Sequence, residues 1–237
     1  MHNLRRIPLE NTENARDLGG YPIKGTSRMT RYNKFFRTGV PSQLNPSEEA
    51  QLKRLGLTTV IDLRSSAETA RTACYFQNRP GFSYHHLHLD GGERVLTEGK
   101  DRMGLSYLTM CKSPAAGEIF RILAQARGSC LFHCTAGKDR TGTVAAVLLS
   151  LAGVDVPDIV ADYSISYPYL ANTIRNLQAD YPDLPAYLGR SDPENMEDFL
   201  MRFRQEYGSA EQYLKGLGLS SQALEALKAK LICEADV

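Results

Sequence analysis

The chain has almost no net charge, no long apolar run and no metal-ligand spacing, and each lack removes a class of function. It carries 28 Lys and Arg against 27 Asp and Glu, a formal net charge of +1, so no basic field marks a nucleic-acid partner and any anion site must be local. No stretch approaches the roughly 20 apolar residues that span a bilayer. The opening MHNLRRIPLE has two arginines but no apolar segment of a secretory signal behind them, so a soluble, cytoplasmic protein without stable membrane insertion is expected. Cysteine is sparse and irregular: Cys74, Cys111, Cys130, Cys134 and Cys233 form no Cys-x2-Cys pair and are joined by no His-x3-His pair. The odd count argues against a disulfide framework, and no metal or cofactor is expected. His85, His86 and His88 are close in sequence, yet strand alternation divides them between two faces.

What remains is ordinary globular material, 42% hydrophobic and 23% charged over 237 residues, enough to bury one sizeable core. A single catalytic domain over 1–237 is expected, with a helical C-terminal portion, 155–237, acting as a lid. The stretch Glu13 to Gly25 reads as turn chemistry leading to a short strand at Phe35–Thr38. Asn45-Pro46-Ser47-Glu48 sets an N-cap, an N1 proline and a capping-box glutamate in order, and Gly56 ends that helix. Then come a β-branched strand (Thr58 to Leu63), a polar helical stretch (Ser66 to Gln77), a second extended run (Phe82 to Leu89), a helical region (Ser106–Gln125) and the apolar run Cys130 to His133. Thr141 to Gly153 is apolar all round and predicts a buried helix. Strands separated by helical connections predict an α/β fold, a mostly parallel central sheet flanked by helices, with its active edge at the strand C-termini. Beyond Asp155 helices broken by proline and glycine predict an all-helical C-terminal half, closed by a helix from Ser220 to Ile232.

The chemistry gathers in HCTAGKDRTG, His133 to Gly142, where five residues separate Cys134 from Arg140 at a strand-to-helix turn. A loop of this length can curl round a tetrahedral oxyanion, aim backbone N–H groups of Thr135, Ala136, Gly137, Lys138 and Asp139 inward, and return the arginine opposite the sulfur. Gly137 gives the curl its backbone freedom and the helix from Thr141 points its positive end at the site. These donors favour a thiolate at Cys134, and the planar guanidinium of Arg140 can hold two phosphoryl oxygens. Asp62 and Arg64 end a strand, where the Asp62 carboxylate could brace Arg140 or simply pair with Arg64. Lys138 adds a second charge at the rim, a hint of polyanionic substrates or a solvated lysine.

This loop resembles the Cys-x5-Arg loop of the protein tyrosine phosphatase superfamily, and its GKDR core is similar to the bacterial tyrosine and lipid phosphatases called tyrosine phosphatase family 3. ENARDLGGY (Glu13 to Tyr21), IDLRSSAE (Ile61 to Glu68) and the closing segment Gly208 to Leu231 resemble the same family. The resemblance implies a phosphatase acting through a phosphocysteine on phosphotyrosine proteins or phosphoinositides, with Cys134 and Arg140 central and a role for Asp139. It also implies that His133, before the cysteine, serves the loop carbonyls or the sulfur, a buried structural histidine being the other reading, and that some relatives act outside the producing cell, which leaves non-classical export open. Asp90, before Gly91-Gly92, resembles the mobile aspartate loop of other superfamily members, so Asp139 and Asp90 are both candidates for the general acid. Two other classes stay open: a catalytically silent phosphate-binding module, and a sulfurtransferase carrying a persulfide on Cys134. Nothing in the sequence fixes the oligomeric state.

Overall fold

The computed structural model describes residues 4–91, 103–183, 187 and 189–235. Its main sheet has five strands: β1 (Arg16–Asp17), β3 (Phe35–Thr38), β6 (Ser129–His133), β4 (Leu57–Asp62) and β5 (Ser83–His86), in the spatial order β1-β3-β6-β4-β5. All neighbours are parallel except β1, which runs antiparallel to β3. The register sets Thr38 and Asp62 on either side of His133, so three strands end at one level and the chain after His133 leaves from the middle of that edge.

Alternation explains how the sheet is covered on both faces. Phe35, Ile61, Cys130 and Phe132 join one core, whereas Phe36, Val60 and Leu131 join the other with Ile7, Leu52 and Phe76. The smaller core lies under α1 (Pro46–Arg54), whose Asn45 cap and Glu48 close a reciprocal capping box, as the Asn-Pro-Ser-Glu order predicts. The larger one is built from α3 (Met103–Met110), α4 (Ala116–Gln125), α5 (Asp139–Ala152), α6 (Val156–Ser164), α9 (Pro193–Tyr207), α10 (Ala210–Gly216) and α11 (Ser221–Leu231). Helix α5 runs through its centre, buried on nearly every side. Short α7 (Ser166–Tyr169) and α8 (Ala171–Asp180) cross the surface between α6 and α9.

Several boundaries differ from the sequence reading. The helix expected over Ser66–Gln77 is α2 (Ser66–Arg71) and stops when Thr72 turns extended, because the apolar residues that follow, Cys74 and Phe76, are drawn into the core. The helical region Ser106–Gln125 is two helices with Pro114 in the break, where proline disfavours helical backbone in the residue before it. The C-terminal half is not wholly helical: β7 (Ile232–Glu234) pairs antiparallel with β2 (Arg28–Thr30). Among the described residues no helix is long and apolar enough to cross a membrane.

Candidate active site

The loop 134–138 is fixed from outside through its carbonyls. His133 Nδ1 donates to the Cys134 carbonyl at 3.1 Å, Val40 N–H to that of Thr135 at 2.9 Å, and Asn14 Nδ2 to those of Ala136 and Gly137 at 3.0 and 2.9 Å. Arg37 Nη2 reaches the Gly137 and Lys138 carbonyls at 2.8 and 3.3 Å. In a trans peptide the carbonyl and the following N–H point in opposite directions. Five outward carbonyls therefore turn the N–H groups of residues 135–139 to the inner side of the curl, an anion-binding concavity. Gly137 makes the curl possible: its φ is +68°, and a Cβ there would stand 2.3 Å from the Thr38 carbonyl. Helix α5 starts at Asp139, two residues before the sequence reading put it, so Asp139 and Arg140 lie in its first turn, at the positive end of its dipole.

The groups that hold the loop are themselves held in a buried ionic cluster. Asp162 of α6 accepts from Arg16 Nε at 2.9 Å, Arg37 Nη1 at 2.5 Å and Tyr21 Oη at 3.1 Å. Burial alone would raise the Asp162 carboxyl, but the two guanidinium groups outweigh it and hold the pKa down at about 2. Burial and the neighbouring Arg37 lower Arg16 to about 10. Arg16 also bonds Asn14, the residue whose amide takes two of the loop carbonyls.

Arg140 is braced by Glu68, not by Asp62. Its Nη1 and Nη2 meet the two Glu68 oxygens at 2.6 Å each, and Thr135 Oγ1 donates to Glu68 Oε1 at 2.5 Å. Burial is again outweighed on both sides: the Glu68 carboxyl is held well below the usual range and the Arg140 guanidinium is raised above its own. Among the described residues no group accepts from Arg140 Nε, so the edge formed by Nε and Nη2 remains for a ligand while Glu68 occupies the other. Asp62 instead receives the Arg64 fork, Nε at 2.9 Å and Nη2 at 2.7 Å, and Tyr84 Oη at 2.8 Å. Among the described residues its approach to the loop is through His133 Nε2 at 3.6 Å. His133 is fully buried, and burial lowers its pKa to about 4.

The remaining candidates divide. Asp139 Oδ1 accepts from Tyr107 Oη at 2.5 Å. Asp90 is bonded to Ser113 and His88, and the chain beyond Gly91 that would carry its loop, Gly92 included, lies outside the described residues. Lys138 is not at a solvated rim: its side chain is 4% exposed and Nζ donates to the Arg190 carbonyl at 2.7 Å. Thr141 is buried, with no hydrogen-bond partner for its hydroxyl among the described residues. Asp62, Cys74 and His133 bring three potential metal-ligand atoms within 4.8 Å of one another, but the Arg64 fork already occupies the carboxylate with positive charge. Asn14, Arg37, Glu68 and Asp162 escaped the sequence reading of the site. Asn14 and Glu68 do fall inside the two family-like segments, which was the only signal for them.

The sequence has relatives. The sequence pattern of the tyrosine phosphatase family matches residues 7–233. The chain is 35% identical over 216 residues to a tyrosine-protein phosphatase of Nostoc commune, covering 83% of this chain and 74% of the relative. It is 28% identical over 262 residues to the triple specificity protein phosphatase PtpB of Mycobacterium tuberculosis, covering 89% of this chain and 95% of the relative. Among solved structures TpbA of P. aeruginosa is similar at 16% identity with a TM-score of 0.38, covering 85% of this chain and 96% of that one. With the family pattern running through nearly its whole length, the chain belongs to the tyrosine phosphatase family, whose members are phosphoric monoester hydrolases.

Proposed function

We propose that this enzyme hydrolyses phosphotyrosine-type monoesters through a phosphocysteine on Cys134, with Arg140 as phosphate clamp and Asp139 as general acid. The observation that carries the reading is the run of five outward-held carbonyls after Cys134, which turns a ring of N–H donors toward the space next to the sulfur. The Cys134 thiolate attacks phosphorus, and the ester oxygen departs with the proton of Asp139. In that one displacement the S–P bond forms as the P–O bond breaks. Loop N–H groups and the Nε–Nη2 edge of Arg140 hold the equatorial oxygens as charge shifts between them. The Asp139 carboxylate next takes a proton from water, which attacks phosphorus and frees the thiolate and inorganic phosphate. The Thr141 hydroxyl, two residues into the helix that follows the loop and without a partner among the described residues, is our candidate to stabilise that returning charge. Asp139 is favoured over Asp90 because it abuts Arg140 in the same turn, whereas the Asp90 carboxylate is 57% exposed and tied to Ser113 and His88.

The M. tuberculosis relative is by its name a triple specificity protein phosphatase. In this chain Lys138, the candidate second anion contact, is taken by the Arg190 carbonyl, so a simple monoester is the substrate the arrangement supports best. The test is hydrolysis of a chromogenic aryl phosphate without added metal by wild type and Cys134→Ser, followed by phosphotyrosine peptides and phosphoinositides. Turnover abolished in the variant, with vanadate binding retained, is the expected result. Turnover that survives Cys134→Ser sinks the mechanism; a folded, reduced but inactive wild type returns the binding module, and cyanide-dependent thiosulfate consumption returns the sulfurtransferase.

A further inference from the structure

Behind Asp139 runs a buried line of hydroxyls that the proposed chemistry does not use. Tyr107 of α3 and Tyr163 of α6 are 0% and 1% exposed. Tyr107 Oη lies 2.5 Å from Asp139 Oδ1 and 2.7 Å from Tyr163 Oη. The rings pack edge to face with centroids 5.9 Å apart, and Phe199 closes on Tyr107 from α9. Burial raises both phenols far above their ordinary value, so each keeps its single proton. The direction of the line then follows from counting hydrogens. Tyr107 gives its proton to the carboxylate and must accept from Tyr163. Two phenols on two helices are polarised toward one carboxylate oxygen, and such chains strengthen one another in a dry interior.

We propose that Tyr107, backed by Tyr163, is a positioning residue for the general acid: by claiming Oδ1 of Asp139 it leaves Oδ2 as the oxygen that carries the transferable proton. The proposal rests on the reading of Asp139 as the acid. A bond to the charged form also stabilises the carboxylate left after proton donation. The groups facing Asp139 are Lys138, with Nζ at 3.5 Å, Arg140, Tyr107 and Tyr163, with Asp192 acting on Tyr163. Only the tyrosines change in the test below.

The experiment compares wild type with Tyr107→Phe and Tyr163→Phe in two readouts. The first is the carboxyl carbon resonance of Asp139 followed through a pH titration. Its midpoint should lie higher in Tyr107→Phe than in wild type, and less so in Tyr163→Phe, since the second variant removes a donor one step further away; an unmoved midpoint in both overturns the relay. The second is kcat on aryl phosphates of graded leaving-group basicity. Tyr107→Phe should cost about tenfold on the poorest leaving group and little on the best, with KM unchanged, and should cost nothing further in an Asp139→Asn background. Equal loss across leaving groups, or full loss retained in that background, counts against the proposal. Asp139→Asn without any leaving-group dependence overturns the acid reading instead, and the titration still decides the relay. Tyr163→Phe serves where thermal melting shows that Tyr107→Phe has not folded.

Discussion

At Arg140 two edges of one guanidinium meet two partners, and only one of those partners belongs to the protein. Glu68 holds Nη1 and Nη2 and so aims the Nε–Nη2 edge; without it the arginine would swing through its rotamers and bind phosphate with a larger entropy loss. Glu68→Gln keeps the shape but sets an amide N–H against a guanidinium N–H. Charge-assisted hydrogen bonds are worth about 1.5–3 kcal/mol, so kcat/KM on an aryl phosphate should fall by roughly ten- to a hundredfold, with weaker inhibition by inorganic phosphate. Asp62→Asn is the matched control. Because Asp62 pairs with Arg64 and not with Arg140, it should lower the melting temperature while leaving phosphate inhibition close to wild type. Equal kinetic damage from both variants would show that the brace is not specific to Glu68. Gly137→Ala tests the curl itself. With φ at +68° and a Cβ 2.3 Å from a backbone carbonyl, alanine must shift the loop, and phosphate binding measured by calorimetry should be lost even if the protein still folds.

At the scale of elements, what could be read from the sequence was local and what could not was distant. The loop, strand β6 and helix α5 are contiguous, so residue types and spacing set them out in order, and the capping box of α1 lies within four residues. Glu68 and Arg140 are 72 residues apart, and Asp162 lies 146 residues from Arg16. No spacing rule links such pairs; they meet because α2, α6 and the N-terminal segment converge on the loop edge. Asp62 was a candidate brace because it lies at the C-terminal end of a strand, but Arg64, two residues on, reaches it first. The lid expected over 155–237 also divides by element. Helix α9 buries Met196, Phe199 and Phe203 in the core, so it cannot lift without breaking that core. Helix α8 buries Ile174 and leaves Leu177 at 40% exposure. Any mobile cover is therefore α8 itself, since elements with few buried contacts open at low free energy. Limited proteolysis should cut first within 171–183, and more slowly with vanadate bound. A first cut inside α9, or cleavage of α8 unaffected by vanadate, would end that idea.

For the whole molecule the buried ionisable groups set how stability varies with pH, and two of them oppose each other. His133 is lowered from 6.5 to about 4. The unfolded chain therefore binds its proton first, and this contribution, complete above pH 6.5, is lost as pH falls toward 4. Asp17 is raised by burial from 3.8 to about 6, although the Gly19 and Asn33 N–H groups donate to it. Its contribution has the opposite sign, being complete below pH 3.8 and lost as pH rises through 6. Between about pH 4.5 and 6 the two slopes, each near 1.4 kcal/mol per pH unit at most, offset one another. Below that window Asp162, held near 2 from 3.8 by its arginines, loses its contribution as pH falls, and Asp62 and Glu68, also lowered, lose theirs in the same direction. Urea unfolding across pH should accordingly show a plateau from about 4.5 to 6 and a steep decline in more acid solution. Asp17→Asn removes one side of the balance. Its overall stability should be lower, since an amide nitrogen would face a backbone N–H, but stability should now rise with pH across the former plateau. His133→Gln should reverse that slope. A plateau that persists in both variants would mean that these two groups do not set it.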